Sequence, residues 1–190
     1  MEIYQAVNKM LRYIGEMPIP EGVSIDDLET SHEAYVAREI LLDKSKELQS
    51  AGWWFNKMST TLVPDYRGDI VVSENIVSVN ASSDGYIINE NKLYDPVNNT
   101  YVFTDPVTVT VIYENDFDDL PLTFANWVVY TAASEFQLIL NGDDVLEKKL
   151  TALANTAYVN MLREDMRNKS YNLISGSRIV SRDSNPEGVS

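Results

Sequence analysis

With 190 residues, 44% apolar and 23% charged, the chain can bury one sizeable core or two small ones sharing an interface, and it is too apolar to be disordered. A net charge of −14, from 29 acidic against 15 basic residues, argues against phosphate-backbone binding as the main task, because that needs clustered Lys and Arg; the acidity keeps the chain dispersed or repels a polyanion that it faces. The absence of Cys removes disulfides, thiolate metal sites and Cys nucleophiles, no apolar run reaches transmembrane length, and Glu2, Gln5 and Asn8 leave no signal-peptide core near the start.

Ile3, Val7, Met10, Leu11 and Ile14 fall at helical spacing, which predicts a first helix over residues 2–15, stopped by Gly15, Pro18 and Pro20. Residues 16–29 read as a loop. Thr30 and Glu33 then form a capping box for a second helix over 31–51, with Ala37, Ile40, Leu41, Lys44 and Leu48 on one face.

Gly52-Trp53-Trp54-Phe55-Asn56 follows at once. Gly suits the left-handed position just past a helix end. Three consecutive large rings on a strand would alternate faces, so Trp53, Trp54 and Phe55 are expected to plug the helical core and the β core together. From Phe55 the period shortens. Thr61–Val63, Ile70–Val72, Ile76–Val79, Tyr86–Asn89, Lys92–Tyr94, Tyr101–Phe103 and Val107–Tyr113 read as short strands. Turns at Asp84-Gly85, Asn89-Glu90-Asn91, Asp95-Pro96 and Asn98-Asn99 separate them. An antiparallel sheet or small barrel is expected. Pro121 opens a third helix carrying Phe124, Trp127, Val128, Thr131, Phe136, Ile139 and Leu140, closed by Asn141-Gly142. Asp144 with Glu147 forms another capping pair for a fourth helix through Leu146, Leu150, Leu153, Ala157 and Met161, ending near Asn168. Residues 170–190 read as a tail, poorly ordered unless something holds it.

Helices flank the β segment in sequence. The expected fold class is therefore α+β, a helical bundle of about four helices built from both ends of the chain (1–53 plus 120–169) with an inserted antiparallel β domain (54–119) and the tail at 170–190.

Catalytic chemistry is scarce. The chain has no phosphate loop and no dinucleotide fingerprint. His32 is the single His, so no second His exists to complete a metal pair, and its place in the first turn of a predicted helix reads as surface decoration. Asp116, Asp118 and Asp119 lack the Gly and terminal Glu of a calcium loop and read as a strand-to-helix turn whose charge suits the helix start at Pro121; Asp143 and Asp144 read likewise for the fourth helix. Carboxylates are plentiful enough for a paired-carboxylate carbohydrate hydrolase with aromatic platforms, but nothing selects one pair, and Trp53, Trp54 and Trp127 sit where packing explains them. The triplets at Asn80, Asn98 and Asn168 match a glycosylation signal and carry no weight without secretion.

Several stretches fall in a telling order: Ala6-Val7-Asn8 with Leu11, Ile14-Gly15-Glu16 and Pro18; Gly52-Trp53 with Phe55-Asn56; Leu62 with Pro64-Asp65; Leu93-Tyr94-Asp95 with Phe103; and Asp116–Asp119 leading to Pro121, Trp127-Val128-Val129, Ala133-Ser134 and Phe136. In this series, over residues 3–172, the chain resembles tail tubular protein A of short-tailed bacteriophages, the adaptor or gatekeeper between portal and tail nozzle. Gly-Trp-x-Phe-Asn is the most specific element.

The resemblance implies a structural virion protein with no cofactor and no active site, located in the tail or neck and made in the host bacterial cytoplasm. It implies a dodecameric ring of copies, with the portal protein on one side and the nozzle (tail tubular protein B) on the other. Double-stranded DNA would pass through during ejection without specific binding, and no membrane is involved. Acidic residues lining such a bore would let DNA slide. Leu173, Ile174, Arg178, Ile179 and Arg182, spaced through a polar segment, are expected to dock on the portal. Gly52, Trp53, Trp54 and Phe55 are expected to form a structural junction, and the β domain to meet neighbours and nozzle. The alternatives are an acidic carbohydrate hydrolase or sugar-binding module of a phage tail, and a stand-alone cytoplasmic binding domain.

Overall fold

The computed structural model describes residues 1–20, 22, 32–80 and 85–183, with side chains as far as residue 170 apart from those of His32 and Asn80. Four helices are present: α1 (Ile3–Ile14), α2 (His32–Gln49), α3 (Leu122–Leu140) and α4 (Asp144–Asp183). Between α2 and α3 lie five short strands, β1 (Lys57–Leu62), β2 (Ile76–Asn80), β3 (Ile87–Asn89), β4 (Lys92–Tyr94) and β5 (Val107–Tyr113), and a single 3-10 turn at Phe117–Asp119. The α+β class expected from the sequence is the class observed.

The helices bury one hydrophobic cluster. Ala6, Val7, Met10 and Leu11 face inward from α1, and Ala34, Ala37 and Leu41 from α2. From α3 come Phe124, Val128, Val129 and Phe136, with Ala125, Ala132 and Ala133 between them. Those alanines let neighbouring backbones approach closely, and α3 packs against α1, α2 and α4 in turn. It is the central helix, which explains why its sequence is apolar over most of its circumference. The segment after α1 is fastened back onto that helix: Asn8 Oδ1 accepts the Ile19 N–H at 2.7 Å, and Tyr4 donates its hydroxyl hydrogen to the Ile19 carbonyl at 2.7 Å.

The β segment buries a second, smaller cluster of Ile70, Val72, Ile76, Leu93, Phe103, Val109 and Val111. β5 is the middle strand of a three-stranded antiparallel sheet in the order β1-β5-β2, with Thr60 opposite Val109 and Met58 opposite Val111. Its alternation is as the sequence predicts, Val109 and Val111 pointing inward. β3 and β4 form a separate hairpin. Its turn places Glu90 and Asn91 at φ 50 and φ 57, the doubly left-handed geometry of a tight hairpin.

Several expectations need correction. The sheets are two and open among the described residues, not a barrel. Ile70–Val72 and Tyr101–Phe103 are not strands but touch their neighbours through single bridges, Asp69 with Val102 and Val71 with Lys92. Each run meets its neighbour at one bridged pair and then diverges, so no ladder forms, unlike the equally short β3 and β4, which stay paired over three positions.

The largest difference is α4, which continues to Asp183 where the sequence suggests an end near Asn168. No Pro intervenes, and the Gly at 176 costs a helix interior only about 1 kcal/mol. The α4 cap is also one residue earlier than expected. Asp143 accepts the N–H groups of Val145 and Leu146 at 2.8 and 3.1 Å, while Glu147 accepts the Thr151 hydroxyl at 2.9 Å instead of reaching back. Thr30 of the proposed capping box and Asp84 of the proposed turn lie outside the described residues.

Candidate functional site

The neck between helices and sheet gathers the most specific interactions in the chain. α2 ends at Gln49, and Gly52 follows with φ 77. A Cβ there would stand 2.8 Å from Ile112 Cδ1, so glycine serves both the left-handed turn and the close approach of β5. The Trp53 carbonyl accepts the N–H groups of Asn56 and Lys57 at 3.2 and 3.0 Å, making residues 53–56 a tight turn.

That turn overrides the alternation expected of three rings on a strand. Trp53, Trp54 and Phe55 all pack on the helical cluster, while the β cluster is flanked by Leu62, Val79, Tyr86, Ile88, Val107 and Tyr113. Trp53 meets Trp127 edge-on at 5.7 Å between centroids, Phe55 meets Phe124 at 4.9 Å, and Trp127 leans on Tyr158 of α4 at 4.9 Å. The two edge-to-face pairs, Trp53–Trp127 and Phe55–Phe124, add about 1 kcal/mol each beyond area burial. The Trp53 indole N–H donates to the Leu48 carbonyl at 2.7 Å, so burying it leaves no orphan donor.

Two fully buried amides lock the neck. Asn56 accepts the Trp53 N–H at 2.8 Å and donates to the carbonyls of Gln49 at 3.0 Å and Tyr113 at 2.8 Å. Gln49 holds both main-chain groups of Asn115, donating to its carbonyl at 3.0 Å and accepting its N–H at 2.9 Å. Entry and exit of the β segment are thus tied to the last turn of α2. From the other side, Asp165 of α4 accepts the Trp54 N–H at 3.1 Å and the Lys169 ammonium at 2.7 Å. Sequence reasoning singled out the rings and passed over Gln49, Asn115 and Asp165. The available signal was a polar residue on a core-facing helical stripe: Asp165 falls four residues after Met161.

The Asp116–Asp119 turn is structural, as expected, with a different beneficiary. Asp118 accepts the Ile3 N–H at 2.6 Å and so caps α1 from 115 residues away, where Glu2 makes no side-chain cap. Among the described residues no group of three or more His, Cys, Asp or Glu side chains is placed to hold a metal ion, and no helix is long and apolar enough to cross a membrane.

Two grooves test the hydrolase alternative. One of about 560 Å3 on the β segment contains Asp95 and Asp105. Asp95 caps its own turn, accepting the N–H groups of Val97 and Asn98 and the Asn98 side-chain amide at 2.7 Å, and these bonds, those from Asn98 first, hold it below the ordinary carboxylate range. A general acid for glycoside cleavage needs the opposite shift. The other groove, about 420 Å3 between α2 and α4, has Glu135 as its one carboxylate, paired with Lys44 at 3.0 Å. Leu173, Ile174, Arg178, Ile179 and Arg182 occupy the last turns of α4, beyond the described side chains and on the helix that carries Asp165.

A sequence profile for tail tubular proteins matches residues 4–171. The chain is 32% identical over 176 residues to "Tail tubular protein A" of Klebsiella phage KP34, a match covering 90% of each chain. The match takes in nearly all of α1, then α2, the β segment, α3 and most of α4. The chain belongs to the tail tubular protein family, the structural proteins of phage tails.

Proposed function

We propose that this chain is the ring-forming adaptor that links the portal to the tail nozzle and forms part of the DNA ejection channel. The observation that carries this is the extent of the family match, residues 4–171, which takes in the bundle and the β segment together rather than one module. The neck supports it: hydrogen bonds from Gln49, Asn56 and Asp165 fix one body to the other, as a load-transmitting part between two machines requires. In this role residues 1–53 and 120–169 form the ring body, residues 54–119 reach toward neighbours and nozzle, and residues 170–190 dock on the portal.

The acidity has a place in the same scheme. With a net charge of −14 per chain, copies that turn acidic surface toward a bore would repel duplex DNA, which would slide without adhering. A non-catalytic role agrees with the fixed, self-bonded state of Asp95 and Glu135. Electron microscopy of the chain mixed with its phage's portal protein tests the proposal. Twelve copies in a ring capping the portal is the expected image; portal particles without added density would refute it.

A further inference from the structure

We infer that the outward face of α4 is a docking surface for a second copy of this chain, joined head to tail. The inference rests on the ring proposed above and assigns it a contact.

α4 has two apolar faces. Leu150, Ala157 and Met161 are buried in the bundle. On the opposite side Val145, Ala152, Val159 and Met166 recur at intervals of seven, each step shifting the stripe by only about 20° around the helix. All four are exposed, Val145 by 62%, Val159 by 43% and Met166 by 59%. Val159 precedes the buried Met161 by two positions, about 200° around the axis, so the stripe lies diametrically across from the core face. A globular helix ordinarily spends that face on charge.

The charge that is present there has one sign. Lys148, Lys149, Arg163 and Arg167 flank the stripe, all exposed, and no acidic side chain shares that face between residues 145 and 170. None of the four has an ion-pair partner among the described residues. The asymmetry extends over the chain: α4 holds seven of the 15 basic residues and five of the 29 acidic ones, +2 in all, leaving −16 on everything else.

These observations select the occupant. Exposed aliphatic side chains call for a protein surface, and the basic flanks call for an acidic one, which the remainder of another copy supplies. Two α4 faces cannot pair about a two-fold axis, because basic residues would meet basic residues. The contact is therefore heterologous, the type that generates closed rings. The helical surface that fits is on α2, where Glu39, Asp43 and Glu47 follow at four-residue intervals beside Tyr35, itself 52% exposed; Glu39 and Glu47 pair within their own helix, with Arg38 at 2.9 Å and Lys44 at 2.6 Å, and would exchange those partners for the bases of α4. Size agrees as well. From Val145 to Met166 the stripe is about 33 Å long and, at about 10 Å wide, covers roughly 300 Å2, well short of the ~800 Å2 per partner of a standard stable pair. A single contact is weak, and closure, in which every copy uses two, secures it.

The test compares the wild-type chain with a Val159→Asp, Met166→Asp variant, alone up to millimolar concentration and with portal protein, by sedimentation velocity. A photo-crosslinking amino acid at position 159 of an otherwise wild-type chain locates the contact. The variant should keep its helix content and Tm and lose self-association by about tenfold or more, and the crosslinker should capture α2 of another copy. Unchanged association, crosslinks from α4 to α4, or capture only of portal protein or duplex DNA would overturn the inference while leaving the ring intact. A wild-type chain that never self-associates in either setting would instead overturn the ring itself.

Discussion

Asn56 is one side chain holding three backbone segments: the end of α2, the turn after it and the last residue of β5. Removing it takes the side-chain partner from the Trp53 N–H and the Tyr113 carbonyl, and leaves the Gln49 carbonyl with only its bond from the Gly52 N–H. Asn56→Ala should destabilise the chain by about 3 kcal/mol, read as a lower urea midpoint. Its neighbourhood also shows the limit of sequence reasoning at this scale. Gly-Trp-Trp-Phe-Asn announces a junction, but which way three rings point depends on whether the backbone is a strand or a turn, and Asn56 itself decides that by bonding the Trp53 N–H. Elsewhere, Tyr13 is raised to about 12 by burial first and by neighbouring Tyr130 second. A raised folded value favours the neutral phenol, so its contribution is complete below pH 10, falls as the unfolded phenol ionises, and is gone above pH 12. Tyr130, lowered first by Lys9 beside it, acts with opposite sign. The difference between wild type and Tyr13→Phe reads Tyr13 together with its smaller effect on Tyr130, and the variant should lose less stability between pH 10 and 12 in denaturant titrations.

At the scale of elements, the start of α4 is held by Asp143. Asp143→Ala should cost about 1 kcal/mol and speed hydrogen exchange in the first turn of α4, leaving β5 unaffected. The four helices and the β5 alternation were legible because apolar periodicity repeats over many residues and averages out local exceptions. Ile70–Val72 and Tyr101–Phe103 were misread because three β-branched or aromatic residues satisfy a strand pattern without a neighbour that stays paired with them. The end of α4 was misread for the converse reason: the Ser, Asn and Gly after residue 169 resemble a tail by composition, whereas helix propensity penalises them only mildly. If those last turns dock on the portal, deleting residues 173–190 should weaken portal binding in a pull-down while the thermal transition of the bundle stays in place. Undiminished binding would remove the tail from the portal contact.

For the whole molecule, two cores joined by a hydrogen-bonded neck, a family match from residue 4 to 171 and a one-signed α4 describe a part made to stand between others. The division into helical ends and a β segment was legible from the sequence pattern, whereas the neck bonds and the outward stripe of α4 needed three-dimensional placement. Multiplicity is the central claim, and molar mass is its most direct measure. Light scattering on the chain mixed with portal protein should give a complex heavier than the portal by twelve times 21.5 kDa. A chain that elutes from that mixture alone, at 21.5 kDa, with the portal unchanged in mass, would contradict the account.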